Sequence, residues 1–294
     1  MKKPLFTGVC TALVTPFRGD SIDFSTLDRL IDRQLDAGVR ALAVCGTTGE
    51  AAALSTEERM LLIQHTVSYV AGRAKVIAGT GTNCTADAIH MSRMAQSIGA
   101  DGLLVVTPYY NKTSQAGLVR HYEAVANAVS IPVIAYNAPS RTGMKIEIEA
   151  YGALSKIENL NGVKEASGDL PLIARIRNRC GDDLNIWSGN DDTICAMMSL
   201  DAKGVISTTA NLVPKEFVSL CNACLNGDYT KGGEMQTFLM PLIDAMFCDV
   251  NPMPVKAALE LAGFGVGPCR APLWKVSEEA KARIQTLVEK LAPA

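Results

Sequence analysis

One repeated feature constrains this chain more than any other. Eight short runs rich in apolar and β-branched residues are each followed by a longer stretch with helical patterning. The runs are Val9–Val14, Ala41–Cys45, Lys75–Ala78, Gly102–Val106, Pro132–Ala135, Gly162–Lys164, Leu184–Trp187 and Gly204–Ile206. Their starting points lie ~20 to 34 residues apart, the length of one strand–helix unit. The runs are apolar on both faces rather than alternating, which predicts strands covered on both sides and so a parallel sheet. Between them, Phe24–Ala37 and Thr56–Val70 read as amphipathic helices, and Ser55 with Glu58 forms a capping box at the start of the second. Eight such units in one chain fit a (β/α)8 barrel better than an open doubly wound sheet. A barrel needs only about 250 residues, so a chain of 294 leaves a surplus. We expect a barrel over 1–225 and a C-terminal helical extension over 226–294, with helical pieces at Lys231–Phe247 and Val276–Leu291. The close spacing of the runs after the sixth is the part of the pattern that fits a barrel least well.

Composition narrows the function. Lys plus Arg (28) nearly balances Asp plus Glu (30), and no basic stripe is visible, which argues against nucleic acid as a partner. No run reaches the ~18 to 20 apolar residues needed to span a bilayer, and no apolar signal core follows Met1–Thr7, so no membrane association is expected. Nine scattered cysteines, an odd number in a large chain, read as reduced thiols of a cytoplasmic protein. His65, His90 and His121 all fall in helix-patterned stretches, and Cys221-x-x-Cys224 has neither a second pair nor a nearby histidine. A metal site is therefore not expected. Gly79-Thr80-Gly81 lacks the third glycine of a dinucleotide fingerprint. No cofactor is expected.

In a barrel the active site forms at the C-terminal ends of the strands, so the residues directly after each run are the informative ones. Lys164 closes the run Gly162-Val163. Desolvation there disfavours an ammonium ion and leaves an amine able to attack a carbonyl, although a surface lysine at a strand end is the plainer reading. Tyr136 ends the adjacent strand, where its phenol can shuttle protons for imine formation, or simply pack at the rim. Thr47 and Tyr110 could extend that relay. Thr47 and Thr48 lie in the Gly-flanked turn Gly46–Glu50, suited to holding a carboxylate or merely to capping a helix. Arg141 offers a bidentate fork for a second carboxylate, or is a solvated loop arginine. Asp191-Asp192 follow strand seven and would repel a phosphate there. Together these residues suggest a barrel that forms an imine with a small 2-oxo acid.

The set Gly46-Thr47-Thr48-Gly49-Glu50, Tyr109-Tyr110-Asn111, Tyr136-Asn137-x-Pro139-x-Arg141-Thr142-Gly143, Gly162-Val163-Lys164-Glu165-Ala166 and Gly204-Val205-Ile206-Ser207 resembles the dihydrodipicolinate synthase family. That family belongs to the pyruvate-dependent class I aldolases and lyases, which include N-acetylneuraminate lyase. The resemblance runs through essentially the whole chain. It implies a homotetramer built as a dimer of dimers, a Schiff base between Lys164 and pyruvate, and condensation with L-aspartate 4-semialdehyde on the route to diaminopimelate and lysine. It implies a proton relay of Tyr136, Thr47 and Tyr110, the last reaching into a neighbouring subunit. It further implies that Thr47 and Thr48 hold the pyruvate carboxylate, that Arg141 holds that of the semialdehyde, and that Gly189 and Ile206 lie at the site wall. A related lyase acting on sialic or sugar acids, or a non-catalytic binding barrel, are the alternatives. Feedback-inhibited bacterial relatives bind lysine at the dimer interface with a His or similar polar groups at positions matching Ala51, Thr56 and Arg59, and Asn83, Asp87 and Tyr109 are compatible with such a pocket. Here Ala51 has no polar group and Arg59 sets a cation beside an incoming ammonium, so weak or absent lysine inhibition is expected.

Overall fold

The computed structural model describes residues 1–291. Eight parallel strands close into a barrel: β1 (Gly8–Ala12), β2 (Ala41–Val44), β3 (Lys75–Gly79), β4 (Gly102–Val106), β5 (Val133–Asn137), β6 (Leu160–Glu165), β7 (Asn185–Ser188) and β8 (Gly204–Ser207). Each strand pairs with its sequence neighbour, and β1 closes the ring against β8 with Val9 opposite Val205. The expected barrel is the one observed.

The strands are apolar on both faces because each face meets a different partner. Alternate side chains point inward and outward along a strand. Cys10, Ala12, Ala41, Ala43, Ile77, Leu104, Ile134, Trp187 and Ile206 form one cluster inside the barrel. Their neighbours Val9, Leu42, Val44, Val76, Leu103, Val105, Val133, Val163, Ile186 and Val205 join a second cluster under the surrounding helices. Phe6 stacks on Trp187 with ring centroids 4.9 Å apart and accepts its indole N–H at the backbone carbonyl (3.2 Å), in the inner cluster of the barrel. Gly162 makes room for this indole: a Cβ there would lie 2.7 Å from the Trp187 ring and 2.3 Å from the Asn185 carbonyl oxygen.

The helices of the outer layer are α1 (Phe24–Asp36), α2 (Thr56–Val70), α3 (Thr85–Ile98), α4 (Gln115–Asn127), α5 (Ile148–Leu154), α6 (Leu170–Cys180), α7 (Ile194–Ser199) and α8 (Pro214–Leu225). Ser55 and Glu58 make the capping box of α2 reciprocally, at 3.2 and 2.9 Å. The crowding of the last strands has a simple cause, since α7 is only six residues long. A two-stranded hairpin, Phe17–Arg18 with Ser21–Ile22, precedes α1 and had no counterpart in the sequence pattern. Three further helices follow: α9 (Tyr229–Met246), α10 (Met253–Leu261) and α11 (Glu278–Leu291). They pack on the barrel rather than apart from it, α9 lying against α7 and α8.

A buried ion pair fastens this last segment to the barrel mouth. Lys256 of α10 donates to Glu50 Oε1 (2.9 Å), to the Thr15 carbonyl (3.0 Å) and to the Pro268 carbonyl (2.9 Å). The Arg270 backbone N–H fills Glu50 Oε2 at 2.8 Å, and the Arg270 guanidinium forks onto Glu58 at the start of α2. That pairing holds the Glu58 carboxyl below its usual range.

Candidate active site

A cavity of about 150 Å³ opens at the C-terminal ends of the strands. Thr47, Thr48, Tyr136, Arg141, Lys164 and Gly189 all line it, so the structure brings together six of the residues singled out from the sequence. Ser140, Asn190, Thr208, Phe247 and Asn251 also line it, with Gly46 and small or apolar side chains of the barrel between them.

Tyr136 and Lys164 are cross-strand partners in the β5–β6 register and both face inward. The Lys164 side chain is 6% exposed, and its Nζ lies 4.4 Å from the centre of the Tyr136 ring. No carboxylate pairs with it among the described residues. An amine in this position faces an aromatic ring and the cavity instead of an anion, which leaves it available to a carbonyl carbon. Gly189 is small for a reason. A Cβ there would lie 3.1 Å from Lys164 Cε and 2.6 Å from the Ala166 Cβ, so a side chain would push on the lysine stem. Asp191, buried just beyond, accepts the Thr209 backbone N–H at 2.7 Å. Burial raises its pKa, with the Thr209 and Ser207 hydrogen bonds and the Lys164 charge opposing the rise.

The two threonines sit on a turn bounded by backbone strain. Cys45 and Glu50, both non-glycine and both at φ 55°, occupy the left-handed region on either side of it. Each such residue costs roughly 1 to 3 kcal/mol unless the surroundings hold it. For Glu50 the surroundings are Lys256 and Arg270. The Thr48 hydroxyl shares a hydrogen bond with that of Thr208 (3.1 Å) and accepts another from Asn251 Nδ2 (3.0 Å). Arg141 stands exposed at the rim on the one-turn helix Pro139–Thr142, and among the described residues a long 3.4 Å contact to the Asn251 carbonyl is the only one that holds its guanidinium. Two basic side chains, four aliphatic hydroxyls and a phenol around a small cavity suit a substrate with a carbonyl and more than one carboxylate.

The remaining expected residues lie elsewhere. Ile206 is fully buried among the inner-barrel side chains and does not reach the cavity. Tyr110 is 91% exposed, with φ 68°, and does not line the cavity in this chain. Ala51, Arg59 and Tyr109 line a neighbouring cavity of about 360 Å³, whereas Thr56, Asn83 and Asp87 do not. Sequence reasoning overlooked Phe247 and Asn251, which arrive from the segment around the end of α9. An Asn-Pro at Asn251-Pro252, just past a helical stretch, was the only local signal for them.

Three comparisons bear on this geometry. The model of the dihydrodipicolinate synthetase family matches residues 5–291. A 4-hydroxy-tetrahydrodipicolinate synthase of Thermoanaerobacter sp. (strain X514) is 48% identical over 288 residues, covering 98% of this chain and 97% of that protein. Among solved structures, the dihydrodipicolinate synthase of Aquifex aeolicus superposes with a TM-score of 0.95 at 40% identity, over 98% of this chain and 99% of that one. The chloride-inhibited synthase of Acinetobacter baumannii complexed with pyruvate gives 0.96 at 35% identity, over 98% and 100%.

Proposed function

Because this chain belongs to the dihydrodipicolinate synthetase family, we infer that it condenses pyruvate with L-aspartate 4-semialdehyde to 4-hydroxy-tetrahydrodipicolinate through an imine on Lys164. The observation that carries this reading is a buried lysine amine that faces a phenol and a cavity rather than a carboxylate. The neutral amine adds to the pyruvate C2, and loss of water from the carbinolamine gives the imine. Tyr136, whose ring lies against the amine, passes the proton that leaves nitrogen to the departing hydroxyl. Thr47 and Thr48 hold the pyruvate carboxylate. Loss of a methyl proton then gives an enamine whose terminal carbon attacks the aldehyde, forming the new C–C bond. The amino group of the second substrate adds to the imine carbon and displaces Lys164, which closes the ring and returns the free amine. One water is released in all. Arg141 holds the carboxylate of the semialdehyde at the rim.

Tyr110 completes the relay from a neighbouring subunit in this reading, within a tetramer built as a dimer of dimers. Its exposed, left-handed position on the loop after β4 supports that role. Nine unpaired cysteines support a reducing, cytoplasmic location. No helix among the described residues is long and apolar enough to cross a membrane.

A condensation assay with pyruvate and aspartate semialdehyde, coupled to an NADPH-dependent reductase acting on the product, tests the reading. Turnover is expected. Folded protein that forms the pyruvate imine but gives no turnover would shift the assignment to a related lyase and demote Arg141 to a loop residue.

A further inference from the structure

We propose that Glu165, Asn137 and Tyr151 form a brace behind the barrel wall that sets the spacing of Tyr136 and Lys164. The inference rests on the reading of Lys164 as the imine-forming amine. Strand alternation explains the placement. Tyr136 and Lys164 are register partners facing the cavity, so the next residues, Asn137 and Glu165, are register partners on the outer face. That face is otherwise the apolar layer under the helices, with Ala135 and Val163 beside them. A carboxylate is costly there unless its oxygens are satisfied.

Glu165 is satisfied completely. Asn137 Nδ2 donates to both of its oxygens (3.0 and 2.9 Å), the Ser167 backbone N–H donates to Oε1 (2.8 Å), and the Tyr151 hydroxyl from α5 donates to Oε2. Burial and the Glu165 charge both hold the Tyr151 phenol in its protonated, donating form. The same two residues also reach the other strand ends. Asn137 Oδ1 accepts the Ile146 N–H (3.1 Å), which anchors the far end of the loop bearing Arg141. The Glu165 carbonyl accepts the Gly189 N–H (2.7 Å), which ties the end of β7 to β6. An apolar residue would fill the space beneath α5, but only a side-chain acceptor can tie β5, the turn after β6 and α5 together at one point. All three are positioning residues, since none lines the cavity. Misplacing a reacting group by about 1 Å can cost on the order of 10²-fold in rate.

The test uses Tyr151→Phe, which removes one hydroxyl, with Thr11→Val as its match. Thr11 donates to Gln34 (2.6 Å) in a buried strand-to-helix bond on β1, across the ring from β5. Both variants should lower the melting temperature. Tyr151→Phe should also slow pyruvate-dependent borohydride trapping and kcat by about 10- to 100-fold, with the pyruvate KM within about 3-fold of wild type. Thr11→Val should leave trapping within about 2-fold of wild type. Glu165→Gln, which keeps the shape but not the full acceptor set, gives a second reading of the same split. Wild-type trapping speed in folded Tyr151→Phe, or equal slowing in Thr11→Val, overturns the brace. Failure to trap the wild-type protein overturns the functional reading, and the brace with it.

Discussion

Lys164 and Lys256 are both buried at the same end of the barrel, yet their surroundings have little in common. Lys256, 2% exposed, has three oxygen acceptors within 3.0 Å, one of them the Glu50 carboxylate, and a Phe17 ring 4.4 Å away. Lys164, 6% exposed, has a ring at the same 4.4 Å but no carboxylate partner. Burial alone therefore does not mark a reactive amine. A buried cation with all its protons donated is a fastener, and removing it strands its partner. A buried amine that faces a cavity has room beside it for a substrate carbonyl and can bond to carbon. The fastener also serves the site, because Lys256 secures Glu50 at the strained end of the Thr47–Thr48 turn.

Substituting each lysine should separate these roles. Lys164→Ala is expected to abolish pyruvate-dependent trapping and lower kcat by at least ~10³-fold, since the covalent step has no substitute nucleophile. Its melting curve should change little. Lys256→Met should do the reverse: a loss of about 3 to 5 kcal/mol of stability in denaturant titration, with Lys164 still trapped by pyruvate in the folded fraction. Tyr136→Phe comes next, with about 10²- to 10⁴-fold lost from the imine-forming rate in single-turnover trapping.

Arg141→Ala sharpens the comparison at the rim. Its charge-assisted bonds to a carboxylate are worth about 1.5 to 3 kcal/mol, so kcat/KM for the semialdehyde should fall about 10- to 100-fold. Trapping with pyruvate alone should be unchanged. A sialate or sugar-acid lyase would keep its own activity in this variant. The smallest effect concerns lysine. Ala51 and Arg59 line the cavity beside the site, and we propose that Arg59 repels an incoming ammonium. Added lysine should leave the steady-state rate nearly unchanged, and half-maximal inhibition well below ~1 mM, the upper end of ordinary metabolite affinities, would contradict this.

What could be read from the sequence follows the same division. Lys164, Tyr136, Thr47 and Thr48 were legible because a barrel gathers its strand ends at one mouth, so their position relative to each run gave their place in space, whereas Gly189 came from the family resemblance. Phe247 and Asn251 carry no such marker. Asn251 meets Thr48 across 203 residues of chain, and nothing in strand spacing foretells where a helical extension returns. Glu50 was seen as part of a motif, but its partners Lys256 and Arg270 lie in that same extension. Ile206 was placed at the wall by the family resemblance alone, and its side chain packs among the inner-barrel residues. The apolar runs identified the barrel but not the role of the polar pair just past two of them, since Asn137 and Glu165 take their meaning from Tyr151 on another element.

The most direct test of the account is reduction of the native protein with borohydride in the presence of pyruvate, followed by peptide mass analysis. The account predicts a single reduced pyruvate adduct on Lys164, absent from Lys256 and absent when pyruvate is left out. An unmodified Lys164 in folded, pyruvate-saturated protein, or an adduct on a different lysine, would contradict it.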